Sequence, residues 1–251
     1  MAQKIMALMI LLLVASAYSA TKLRLSYDAL NLFPANSPVR QSVLTIDKKL
    51  IGTMPVELLI DTGAADGATN PVFLKRLDAW LQQLQRAPVE GIAIKSVSSL
   101  LDLIKEAHQV IGEEKRYSVP AQQDLVAQEL LLLQMDSAGA VAKYTDSGFR
   151  YVRVTLTTPW QDAVNYTHFL DAVTTSFQQQ FASSATLQVT GMVSIANRIF
   201  TEMLNSMAVS YLFSALTVSL AMILLLRSFK LGMGLMFPNL LPIFEIGRAH
   251  V

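Results

Sequence analysis

The chain has 251 residues, of which 52% are hydrophobic and 16% charged, with a formal net charge of +1. A soluble domain carries about 25% charged residues, so the apolar excess needs a place. There is no basic run, so nothing points to nucleic acid as a partner. There are no cysteines, which excludes disulfides, thiolate catalysis and Cys-ligated zinc.

The apolar residues gather in three runs, at 5–20, 203–226 and 231–243. Between the first two lies an ordinary mixed stretch long enough for a domain with its own core. The first run comes after Lys4 and ends in Ala15-Ser16-Ala17-Tyr18-Ser19-Ala20, which resembles a small-residue cleavage site. A cleaved signal peptide and an anchoring helix both fit, and either one exports the middle stretch.

Residues 30–38, Leu-Asn-Leu-Phe-Pro-Ala-Asn-Ser-Pro, read as an extended lead-in held by its prolines. Val56-Glu57-Leu58-Leu59-Ile60 alternates as a strand. After a Gly- and Ala-rich turn, Asn70-Pro71 supplies an N-cap residue and a proline at the first helical position. Leu74, Leu77, Leu81 and Leu84 then recur at helical spacing. Pro88 and Gly91 end that helix, and residues 92–97 read as a second strand.

Two more helices are predicted before the next strand. One starts at Ser99, with Asp102 completing a capping box, and buries Leu100, Leu103, Ile104, Ala107 and Ile111. The other covers about 120–135. Residues 112–119 link the two, and 136–148 read as a small-residue loop. Residues 151–157 alternate again, with Val152, Val154 and Leu156 on one face and Arg153, Thr155 and Thr157 on the other. Thr158-Pro159 is expected to open a helix with Tyr166, Leu170, Val173, Phe177 and Phe181 on one stripe. Leu187-Gln188-Val189 closes as a short strand ended by Thr190-Gly191. Two strand–helix–strand units in tandem predict a ferredoxin-like α+β domain.

Residues 203–226 lie between Glu202 and Arg227 and hold no charge. At 1.5 Å per residue they reach about 36 Å, enough for the hydrocarbon core of a bilayer. Arg227 and Lys230 come directly after, which places that end in the cytoplasm and the middle domain on the other side. Residues 231–243 are uncharged too, but fewer than the roughly 20 a span needs. They read as the start of a further membrane helix, cut short. Residues 245–251, Glu-Ile-Gly-Arg-Ala-His-Val, look like a translated sequencing adapter and are set aside, which makes the chain a fragment by expectation.

The sharpest local motif is Leu58-Leu59-Ile60-Asp61-Thr62-Gly63-Ala64. It resembles the active-site stretch of retroviral-type aspartic proteases, in which an Asp at a strand end shares a proton with a second Asp. No second Asp-Thr-Gly occurs. The apolar-apolar-Gly-Arg element of that family is met only at Ile246-Gly247-Arg248, inside the adapter-like tail. The competing reading is a strand that enters an Asx/Gly turn. His108 and His168 lie in predicted helices without a matching ligand at i+4 and read as structural or solvated. No Gly-rich phosphate loop or nucleophile elbow is present. Leu125 to Met135, with Leu130-Leu131-Leu132-Leu133, reads as core or as the wall of a greasy path.

The order of parts resembles half of a resistance-nodulation-division (RND) superfamily transporter, in its hydrophobe/lipid exporter branch (the MMPL family). Leu32-Phe33-Pro34-x-Asn36-x-Pro38 is similar to that branch's segment after its first helix. Val189-Thr190-Gly191 is similar to the motif that closes its periplasmic domain. Arg227-Ser228, Gly232 and Pro238-Asn239-Leu240-Leu241-Pro242-Ile243 are similar to its next loop and helix start. The similarity runs from about Lys4 to Ile243 and rests on order and spacing. Gly52 to Gly63 is closer to the second repeat than to the first, which makes Met1 an internal start.

The resemblance implies an uncleaved N-terminal membrane helix at 1–22, a periplasmic porter-type domain at 23–202 and a membrane helix at 203–226. It implies a bacterial inner-membrane, multi-pass exporter of lipids or other hydrophobic molecules, driven by proton influx. No cofactor, metal site or catalytic residue is implied. The implied partners are membrane lipids, a hydrophobic substrate, the remainder of the transporter and further copies in a homo-oligomer. The family's proton-relay carboxylates belong to a later helix, beyond this chain. Two rival readings remain: a membrane-tethered non-catalytic binding or assembly domain, and an anchored aspartic protease using Asp61.

Overall fold

The structure is a computed structural model, and it describes residues 28–228 except 113, 114, 163, 164 and 183. The expectations for residues 1–22, 231–243 and 245–251 lie outside the described residues. The described residues belong to two compact units, one within Tyr27–Arg198 and one beginning at Ile199.

The first unit is α+β. Its strands are β1 (Met54–Asp61), β2 (Ser96–Ser99), β3 (Tyr151–Thr158) and β4 (Thr186–Thr190). They form one sheet in the order β2-β3-β1-β4, with every neighbouring pair antiparallel. The helices are α1 (Pro38–Lys49), α2 (Pro71–Arg86), α3 (Leu100–Ile111), α4 (Gln123–Val141), α5 (Asn165–Phe181) and α6 (Gly191–Leu226).

Strand alternation builds the core. Val56, Leu58 and Ile60 of β1 and Val152, Val154 and Leu156 of β3 are fully buried, as period-two patterning requires when one sheet face is covered. Helix α2 begins where expected: Asn70 Oδ1 accepts from the Val72 and Phe73 amides, and Pro71 stands at N1. It buries Leu74, Leu77, Trp80, Leu81 and Leu84. Helix α5 buries Tyr166, Phe169, Val173, Phe177 and Phe181. Trp80 meets Phe177 edge-on at 5.2 Å, and Phe177 stacks on Phe181 at 4.5 Å. The indole Nε1 donates to Ser176 Oγ at 3.0 Å, so the buried ring keeps its one polar group paired.

The capping box at α3 is complete. Ser99 Oγ accepts from the Leu101 amide, and Asp102 Oδ2 accepts from the Ser99 amide. The helix buries Leu100, Leu101, Ile104 and Ala107, while Ile111 is exposed. Lys105 Nζ reaches Asp78 Oδ1 of α2 at 2.8 Å.

Four further expectations are corrected. The lead-in is extended only in part, because Ala29–Leu32 forms a 3₁₀ turn and Pro38 opens α1. The second strand falls at Ser96–Ser99, while Val89 and Ile92 make only an isolated bridge. Thr158-Pro159 does not open a helix. Thr158 ends β3, with its hydroxyl bonded to Met54 O and Tyr166 Oη. The Trp160 amide and indole N–H are held by Asp47 and Asp28, so helical turns wait until Asn165. Residues 136–141 are helical, because Val141 is buried in the core and draws α4 onward.

Helix α6 begins at Gly191, the residue after the last of β4. It has 36 residues and is, among the described residues, the one helix long and apolar enough to cross a membrane.

Candidate functional site

Two groups of polar side chains have site-like geometry. The first is the sheet face opposite the core. Asp61, the last residue of β1, receives Arg150 through two bonds of 2.7 Å, Nε to Oδ1 and Nη2 to Oδ2. The Gly63 amide donates to Oδ1 at 2.8 Å. The guanidinium bonds and the Gly63 amide hold the Asp61 carboxyl down at about 2. Such a bidentate pair keeps the carboxylate ionised and both oxygens occupied. General-acid chemistry of the protease kind needs an aspartate that shares a proton; here the Asp61 oxygens hold Arg150 and the Gly63 amide, as in a strand-end turn. Thr62 Oγ1 donates to Arg150 O at 2.8 Å, which closes the turn against the β3 lead-in.

Beside it, Asp146 organises the entry to β3. Its Oδ1 accepts from the Arg150 and Tyr151 amides at 2.9 and 2.8 Å. Burial pushes this carboxyl up, but the amides of Tyr151, Arg150 and Gly148 outweigh it and leave the carboxyl below its ordinary value. Further along β1, Glu57 takes Arg153 through two bonds of 2.9 and 3.0 Å and accepts from Thr155 Oγ1. Burial raises the Glu57 carboxyl, and these donors together bring it below its ordinary value. Each acid here is satisfied by protein, so this face is a built ion-pair surface.

The second group lies between α3 and α4. His108 Nδ1 and Glu129 Oε1 are 2.8 Å apart, and both residues are buried, 8% and 3% exposed. An ionised carboxylate only accepts, so Nδ1 carries the proton in that state. Glu129 Oε2 is buried, and none of the described residues bonds to it. Leaving such an oxygen unpaired costs roughly 1–3 kcal/mol, more for a charged group. Gly112 sits against the imidazole: a Cβ there would lie 2.8 Å from His108 Nδ1 and 2.4 Å from His108 O. The pair lines a cleft of about 640 Å³ whose walls include Ile111, Val119, Leu125 and Leu132.

No protein-family model matches the chain, and no curated protein matches it in sequence.

The cleft is therefore assigned from its own chemistry. His108 is buried in a carboxylate pair, whereas His168 is exposed on a shallow polar groove with Glu90 and Asp171. Among the described residues, no group of three or more His, Asp or Glu side chains is placed to hold a metal. The Leu125–Met135 stretch divides between its two readings. Val126 and Leu130 are core, Leu125 and Leu132 line the cleft, and Leu131 and Met135 are exposed. Sequence spacing could not reveal the pair, since its members are 21 residues apart on separate helices. The one local signal was Glu129 itself, an acid set immediately before four leucines.

Proposed function

We propose that this chain is a part of a proton-driven RND-type exporter of lipids or other hydrophobic molecules, with residues 23–202 as its extracytoplasmic porter-type domain. The domain is read as ferredoxin-like: α2 links β1 to β2, α5 links β3 to β4, and the two halves interleave in the sheet. The pair α3–α4, inserted between β2 and β3, is then an elaboration of that plan. The observation that carries the reading is the direct passage from β4 into α6. Residues 203–226 hold no charge, and Leu212, Phe213, Leu216, Leu220 and Leu224 are exposed along the helix. Such a surface calls for lipid or neighbouring membrane helices.

In this reading residues 1–22 form another membrane helix, and Arg227 faces the cytoplasm of a bacterial inner membrane. Residues 203–226 contain no Asp, Glu, Lys, Arg or His, so proton coupling falls to other helices of the transporter. The reading is tested by topology. Reporter fusions at Gly112 and at Ser228 are expected on opposite sides of the membrane. The same side for both overturns it.

A membrane-tethered binding domain is the second reading, favoured by the His108–Glu129 cleft. A genomic reading frame that continues past Ile243 into helices with a buried Asp or Glu favours the exporter.

A further inference from the structure

We infer that the groove between residues 142–146 and the open face of the sheet binds a single-chain amphipathic anion, its carboxylate on Lys143 and Arg153 and its apolar body over Leu59. Leu59 breaks the alternation of β1: it stands between Glu57 and Asp61 on the side away from the core, beside Arg153 of β3 and Gln188 of β4. With Ala142, Tyr144 and Tyr151 it lines a groove of about 420 Å³ whose wall is mostly apolar. The far wall is fixed in advance. Tyr144 O accepts from the Arg153 amide at 2.7 Å, Tyr144 Oη lies 2.7 Å from Ser98 Oγ, and Thr145 bridges to Val152. A site already in place loses less ordering entropy when it binds.

The accessible charge in this groove is positive. Arg153 gives Nε and Nη2 to Glu57. A guanidinium carries five N–H donors in a fixed fork, so the outer Nη1–Nη2 edge is left for a second carboxylate. The Arg153 side chain is 52% exposed and that of Glu57 14%, so the cation is the member that a ligand meets. Lys143 also lines the groove; it is exposed and pairs with no acid. Asp146, the acid in the lining, already holds the Gly148, Arg150 and Tyr151 amides. A carboxylate therefore gains two charge-assisted partners here. An alcohol gains the apolar contact without the charge, and an amine is repelled by Lys143. The site lies within the Tyr27–Arg198 unit and does not depend on the exporter reading.

The test is photoaffinity labelling of the whole chain in phosphatidylcholine nanodiscs, with decanoate, decanol and decylamine probes that each carry a diazirine on the chain. Decanoate is expected to label Leu59 or residues 142–153 saturably, and about tenfold more tightly in free concentration than the other two. Lys143→Glu changes an exposed side chain, so it spares the core. It is expected to weaken that labelling about tenfold, because it turns an attraction into a repulsion. Lys143→Arg is expected to keep the labelling, and so is Lys75→Glu, a charge reversal at an exposed site on α2 outside the groove. Equal labelling by decanol, labelling that survives Lys143→Glu, an equal loss in Lys75→Glu, or no saturable labelling of these residues overturns the inference. Competition by phosphatidylglycerol in the nanodisc, with none by free decanoate, overturns the choice of a single-chain anion over a bilayer headgroup. The labelling does not depend on topology, so either proposal can fail while the other stands.

Discussion

Asp61 and Arg150 show how one ion pair sets a local acid response. The Asp61 carboxyl is held down at about 2 by Arg150 and the Gly63 amide, below the ordinary aspartate value of about 3.9. A depressed carboxylate stabilises the fold above its unfolded value, and the contribution fades as pH falls through the folded value. Arg150→Gln is therefore expected to melt below the parent chain at neutral pH. The difference should shrink between about pH 4 and pH 2 in a series of thermal melts. A gap that stays constant over that window would remove Asp61 as its origin. At this scale the sequence was informative about type but not about partner. Asp61 on a Gly turn was legible, but Arg150 lies 89 positions away. The same holds for His108 and Glu129, brought together only by the packing of α3 on α4.

Elements were legible in proportion to what they bury. The leucine stripe of α2 and the alternation of β1 and β3 point at one core, so local pattern and tertiary packing agree. Helix α1 buries no residue, so it has no core stripe to announce it, and Pro34 and Pro38 masked it. Strand β2 is mostly serine and takes its place by pairing with β3, not by its own propensity. The small residues near Gly139 hid the last turn of α4. The α3 start was legible because a capping box is a local device. Ser99→Ala removes it at a buried position and is expected to cost about 0.5–2 kcal/mol, read as a lower urea midpoint with unchanged slope. A midpoint within error of the parent would mean that Leu100 and Leu101 alone fix the helix start.

At the scale of the molecule, the apolar excess has two destinations. In the Tyr27–Arg198 unit it fills the core beside the sheet, from Val56 to Phe181. In α6 it stays on the outside, with Tyr211, Leu212, Phe213 and Leu216 exposed. Composition alone showed the excess, and the uninterrupted run between Glu202 and Arg227 showed where it lay. If α6 spans a bilayer, Leu216→Arg near its middle is expected to cost about 3 kcal/mol of insertion. Expression of that variant should leave less of the chain resistant to carbonate extraction from membranes. An unchanged membrane fraction would mean that α6 is not the anchor.

The junction at Gly191 leaves the chain no slack. Gly191 has φ +89°, a left-handed backbone that side-chain-bearing residues rarely adopt, and a Cβ there would lie 2.8 Å from Glu57 Cγ. Thr190, its neighbour, is already paired with Glu57 across the edge of the sheet. A side chain at position 191 would therefore press on Glu57, the residue that holds Arg153 and Thr155 on the open face of the sheet.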